Sequence, residues 1–133
     1  MKALFLHHSE RLRTTTTKLY KVIVLTVKDF SDKLNLTYLC NEEKASLREI
    51  DGCYCGDLLS WVMSRAEEGN VWLTVMGNVN SIGVAVLADV ACIVLTENAP
   101  LDDNAKQKAI ENGVIVLTTD KNSYQIASEF SKL

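Results

Sequence analysis

The chain has 133 residues, 47% of them apolar and 23% charged, with a formal net charge of −3. That length suits one domain whose core needs neither disulfides nor metals, and its apolar runs fall far short of the roughly 18 residues of a membrane span. Residues 1–21 carry Lys2, Arg11, Arg13, Lys18 and Lys21 against Glu10 alone, so the acidic excess lies in the remainder, which repels phosphate backbones and excludes nucleic acid as the expected partner.

"ALFL" is too short for the apolar region of a signal peptide, so a reducing cytoplasmic setting with free thiols is expected for the four cysteines. "RLRTTTTKLYK" has neither helical nor strand periodicity, and residues 1–24 read as a basic N-terminal extension to a domain spanning 25–133. In "LTVKDFSDKL", Thr26 and Asp29 resemble a capping box, and Val27, Phe30 and Leu34 share one helical face. "LTYLC" (36–40) reads as a short strand, and "NEEKASLREIDG" as a polar connection with room for one more. Leu58, Leu59, Val62, Met63 and Ala66 then mark a helix stopped by Gly69.

From there the pattern is regular. "VWLTVM" (71–76), "ACIVLT" (91–96) and "VIVLTT" (114–119) are continuous apolar strands, as in parallel sheets buried on both faces. They alternate with helices at 81–89, at roughly 102–112 closed by Gly113, and in "NSYQIASEFSKL", where Tyr124, Ala127 and Phe130 are expected to face inward. The fold class is therefore α/β, a three-layer domain with a mainly parallel sheet covered by helices. In "SIGVAVLAD" apolar residues surround the helix, although one stripe is enough to cover a sheet. Its outward side, assigned to Val84, is expected to pack against a second copy in a homodimer.

Chemistry-bearing residues are few. Cys53 and Cys55 have one residue between them, which fits neither a zinc site nor a thioredoxin-like redox pair, so packing ahead of the helix is the expected role. Cys40, Cys92, Trp61 and Trp72 read as core, and Asp57 as a cap on the helix that follows it. No catalytic constellation, metal site or cofactor motif is evident. Gly77, Asn78, Asn80 and Ser81 lie between a buried strand and a helix, where free amides and the helix dipole can hold an anion. Thr96, Asn98, Thr118 and Thr119 follow the other two buried strands. If those strands are parallel neighbours, all eight residues share the edge where open α/β sheets bind ligands. Their hydroxyl and amide groups suit a phosphate or carboxylate and contain no nucleophile–base pair, which points to binding without turnover. Glu97 in the same turn opposes an anion.

"YCGDLLSWVMSRA", "VWLTVMGNVNSIGVAVLADVACIVL" and "NGVIVLTTDKNSYQIA" together resemble the DRTGG domain family, in particular its small stand-alone bacterial members, over about residues 25–133. Related domains accompany HPr kinase/phosphorylase, some phosphotransacetylases and CBS-containing pyrophosphatases, so the resemblance implies a regulatory or oligomerising module, not a catalytic one. No Walker-type glycine loop is present, which separates the chain from the kinase itself. Thr96-Glu97-Asn98 stands where relatives often have Thr-Gly-Gly. Relatives also begin near "LTVKDF", which makes Leu25 a candidate start; a binding arm or a targeting peptide are the other readings of the extension. The expected function is non-catalytic ligand sensing, with a small anion such as a nucleotide as candidate ligand. The alternatives are a protein-interaction subunit without a small ligand, and a fragment of an enzyme.

Overall fold

The computed structural model describes residues 24–133, so the expectations for the basic extension lie outside the described residues. Helix α1 (Val27–Leu34) opens with the capping box its sequence suggests. Asp29 N donates to Thr26 Oγ1 at 3.1 Å, and Thr26 N donates to Asp29 Oδ2 at 3.0 Å, so two otherwise orphaned amides are satisfied. Strand β1 (Thr37–Cys40) follows, then a single 3-10 turn (Glu42–Lys44) and strand β2 (Cys53–Cys55). Next come α2 (Leu59–Arg65), β3 (Val71–Thr74), α3 (Val79–Ala88), β4 (Cys92–Leu95), α4 (Asp103–Asn112), β5 (Val116–Thr118) and α5 (Ser123–Phe130).

The sheet runs β1-β5-β4-β3-β2, with β2 to β5 parallel and β1 antiparallel to β5. The pleat sorts alternate residues to opposite faces. Val71, Leu73, Cys92, Val94 and Leu117 pack under α1 and α5, where Phe30 meets Phe130 edge-on at 5.8 Å. Trp72, Ile93, Leu95 and Val116 pack under α2, α3 and α4 with Val62, Ile82, Ala85 and Ala105. This is the three-layer, mainly parallel α/β architecture read from the strand composition. No helix among the described residues is long and apolar enough to cross a membrane.

Several local expectations need correction. The connection before residue 53 contributes only an isolated bridge, Thr26 to Glu49. The additional strand is Cys53-Tyr54-Cys55 itself, which pairs in register with Val71, Trp72 and Leu73 and is no mere packing ahead of a helix. Asp57 does not cap α2, whose N-cap is Leu58 without a side-chain bond. Trp72 is core, but Trp61 is 52% exposed, with the Arg65 guanidinium stacked 3.6 Å above its ring. On α2 only Val62 is buried, because seven residues give the helix two turns over the sheet margin. On α3, Val84 faces the core, while Leu87 is 72% exposed and Val86 lies beside it. On α5 the buried residue is Ile126, and Tyr124 points outward. On α2 Leu59 and Ala66, and on α5 Ala127 and Phe130, pack against the core as expected. Trp61 and Tyr124 flank those stripes, and on α3 a step of one residue, about 100° of rotation, exchanges inside for outside.

Candidate functional site

The registers Thr74↔Leu95 and Leu95↔Thr118 bring the carboxyl ends of β3, β4 and β5 into one row. All eight candidate residues therefore lie at a single end of the sheet, Thr118 closing β5 and the others in the loops or first turns that follow the strands. Beyond β3, Gly77 carries a structural demand of its own: a Cβ there would sit 2.0 Å from the Pro100 carbonyl oxygen. That close approach lets Asp102 N donate to Gly77 O at 2.8 Å. Asn78 caps α3, its Oδ1 accepting from Ser81 N at 2.9 Å and from Ser81 Oγ at 3.3 Å. Ser81 is fully buried, whereas Asn80 is exposed on the same first turn.

Between β4 and β5 the chain parts, since α4 leaves over one face of the sheet and α5 over the other. Parting of this kind opens a crevice in α/β sheets. Here the loops close it themselves. Glu97 and Asn98 both adopt the left-handed conformation (φ 58° and 55°). That turn directs Glu97 N to Lys121 O and Asn98 N to Thr119 O, each at 2.9 Å. Thr96 is buried, its Oγ1 3.5 Å from Ser123 Oγ. Thr119 Oγ1 accepts from Lys121 N, and Asn122 caps α5 in a capping box with Gln125. The side chains of Asn80 and Asn98 are exposed, and those of Thr118 and Thr119 partly so.

Asp57, missed as a participant, joins this end from β2. Its Oδ1 accepts from Thr74 Oγ1 at 2.7 Å and from Val75 N at 2.9 Å, tying the end of β2 to the end of β3. Its neighbour Gly-Asp context resembles a helix start, so only the parallel pairing of β2 could reveal the role. The charge balance is acidic: Asp57, Glu97, Asp102 and Asp120 lie in the segments at this end, and Lys121 is paired with Glu129 at 2.9 Å.

Cys53 and Cys55 point to the same face of β2, half-buried and exposed respectively. The neighbouring Cys53 thiol lowers the Cys55 pKa to about 7, while the Cys55 thiol and burial push Cys53 upward. Burial pushes Cys92 up to about 12.

A cleft of about 540 Å³ lies at the opposite end of the sheet, below the carboxyl ends of α3 and α4. Val90, Val114 and Ile115 contribute its apolar floor, and Lys44 and Arg48 stand at the rim. Arg48 is held by Asp89, donating to Oδ1 at 3.0 Å and to the main-chain oxygen at 2.7 Å. Sequence reading missed this cleft because its rim comes from a connection with no motif.

A sequence model of the DRTGG domain matches residues 29–133. No curated protein matches the chain in sequence. Among solved structures, the chain is similar to the CBS and DRTGG domains of the regulatory region of a Clostridium perfringens pyrophosphatase, complexed with the activator diadenosine tetraphosphate. The TM-score is 0.61 at 15% identity, over 77% of this chain and 44% of that one, so this chain spans less than half of its neighbour's length.

Proposed function

The chain belongs to the DRTGG domain family, and from that premise we propose that it is a non-catalytic regulatory domain sensing a small anionic ligand of the nucleotide type. The observation that carries this reading is the seam between β4 and β5. There α4 and α5 part, and main-chain bonds from Glu97 and Asn98 to Lys121 and Thr119 couple two loops. A ligand touching both loops would order them together, which is how binding at a surface becomes a signal elsewhere. Gly77, Asn78, Asn80, Asn98, Thr118 and Thr119 form the contact surface in this reading. Buried Ser81 and Thr96 act from behind as struts. The acidic surroundings disfavour a bare phosphate, so the hydrogen bonds to amides and hydroxyls must supply the selectivity. The regulatory setting of the structural neighbour, whose complex includes a nucleotide activator, agrees with it.

Calorimetry with AMP, ATP, diadenosine tetraphosphate and acetyl phosphate tests the reading. Binding of one of them should weaken at least about tenfold, or 1.4 kcal/mol, in an Asn80→Ala, Asn98→Ala double variant. No heat with any ligand, or equal heat with the variant, removes it.

One observation favours a second reading, an interaction subunit that dimerises. Leu87 and Val86 give the last turn of α3 an apolar outward side. In that reading, light scattering finds a dimer that Leu87→Asp converts to monomer. A native monomer at tens of micromolar leaves ligand sensing alone.

A further inference from the structure

We propose that Cys53 and Cys55 form a two-thiolate site for a soft monovalent metal ion of the copper(I) or silver(I) class. The inference is independent of any ligand at the loop end of the sheet. It starts from the position of β2, the outermost parallel strand, whose residues 53 and 55 project to one face beside Val71 and Leu73. In an extended strand, alternate residues are about 6.6 Å apart and their Cβ atoms point the same way. A disulfide needs its Cβ atoms at about 3.8 Å. Closing one here would buckle a strand that is pinned at both ends, by Val71 N on Gly52 O at 2.9 Å and by Gly56 N on Leu73 O at 3.2 Å.

A two-coordinate ion asks for something different. It holds its sulfurs about 4.5 Å apart, twice a metal–sulfur bond of ~2.3 Å. Two parallel thiols on a flat strand reach that separation by leaning toward one another, without moving the backbone. Tetrahedral ions are poorly served, because no three His, Cys, Asp or Glu groups gather to hold a metal among the described residues. A pair of thiolates without further donors selects soft ions such as copper(I). Cys55 is exposed and Cys53 half-buried, so an ion can enter from solvent and finish partly shielded. Cys92 lies two strands further in and fully buried, and Cys40 is on β1 at the far edge of the sheet. Asp57, two residues beyond Cys55 and anchored by Thr74, adds negative charge nearby.

The test is titration of the reduced full chain with copper(I) in competition with a chromophoric chelator, with stoichiometry read by native mass spectrometry. One ion per chain is expected, with two sulfurs at the metal by X-ray absorption. Cys55→Ser changes an exposed side chain and leaves the circular dichroism spectrum intact. It and Cys53→Ser should each lower affinity by more than about a hundredfold, beyond the cost of losing an outlying support to a metal ligand. Three results overturn the proposal: unchanged affinity in Cys55→Ser, tighter binding of zinc(II) than of copper(I), or ready oxidation of the metal-free pair to a disulfide in the folded chain.

Discussion

The two ends of the parallel strands are built oppositely. At the carboxyl end, the loops after β3, β4 and β5 are rich in Asn, Thr and Ser; Asn78 and Thr119 bond within their own segments, and main-chain bonds from Glu97, Asn98 and Asp102 tie the loops to one another. At the amino end, α3 and α4 finish in left-handed caps at Asp89 and Gly113, and short segments drop straight into β4 and β5. Among the described residues no loop fills the space between those helix ends, and an apolar-floored cleft remains. The contrast teaches that polar composition marks where a chain must satisfy its own main chain. Open space arises where connections are too short to cover a gap.

The largest way to break the contrast is Gly77→Ala. The new methyl would collide with the Pro100 main chain, which cannot swing aside as a side chain could. Urea unfolding should show a loss of about 3 kcal/mol or more, with a Tm drop on the order of 10 °C. A loss below about 1 kcal/mol would mean that the loops are not braced there.

At the amino end the comparable bond-holder is Asn41. Its Nδ2 donates to Ala109 O at 3.0 Å and to Val114 O at 2.7 Å, and its φ is 62°. Asn41→Ala removes two side-chain bonds, leaving Ala109 O with its main-chain donors and Val114 O with only the weak Cys40 thiol, and places alanine in the left-handed region, for an expected cost of about 2 kcal/mol. Because Asn41 stands apart from the loop end, nucleotide calorimetry should not change. If both quantities move together, the two ends are coupled.

The smallest effect is kinetic. Cys55, toward the carboxyl end of β2, should be alkylated by iodoacetamide with a half-maximal rate near pH 7, since its thiolate is populated only as pH rises through about 7. Cys92, first in β4 at the other end and raised to about 12 by burial, should stay unmodified while the domain is folded. Equal labelling of the two thiols would show that the sheet opens on the labelling timescale.

Much of the fold was legible because its signals are local. Thr26 and Asp29 are three residues apart, so their capping box needs no distant partner. The runs around Trp72, Ile93 and Leu117 are apolar without alternation, and both faces of those strands are covered. The candidate site was legible only as a placement. Residues following three buried strands had to meet once those strands proved parallel and adjacent. Whether their polar atoms were free could not be read, because no local pattern shows that Ser81 and Thr96 are buried while Asn80 and Asn98 are exposed.

The amino-acid sequence by itself determined the helix and strand order after residue 70, the layer architecture and the family, since each rests on periodicity or short-range pattern. Tertiary structure alone decided that Cys53-Tyr54-Cys55 is a strand, because three residues carry no period and gain their hydrogen bonds only from β3. It decided that Asp57 serves Thr74 and Val75 and not its own helix. It also turned Trp61, Leu87 and Tyr124 outward, since the rotation of a helix is set by the sheet beneath it and not by the helix's own sequence.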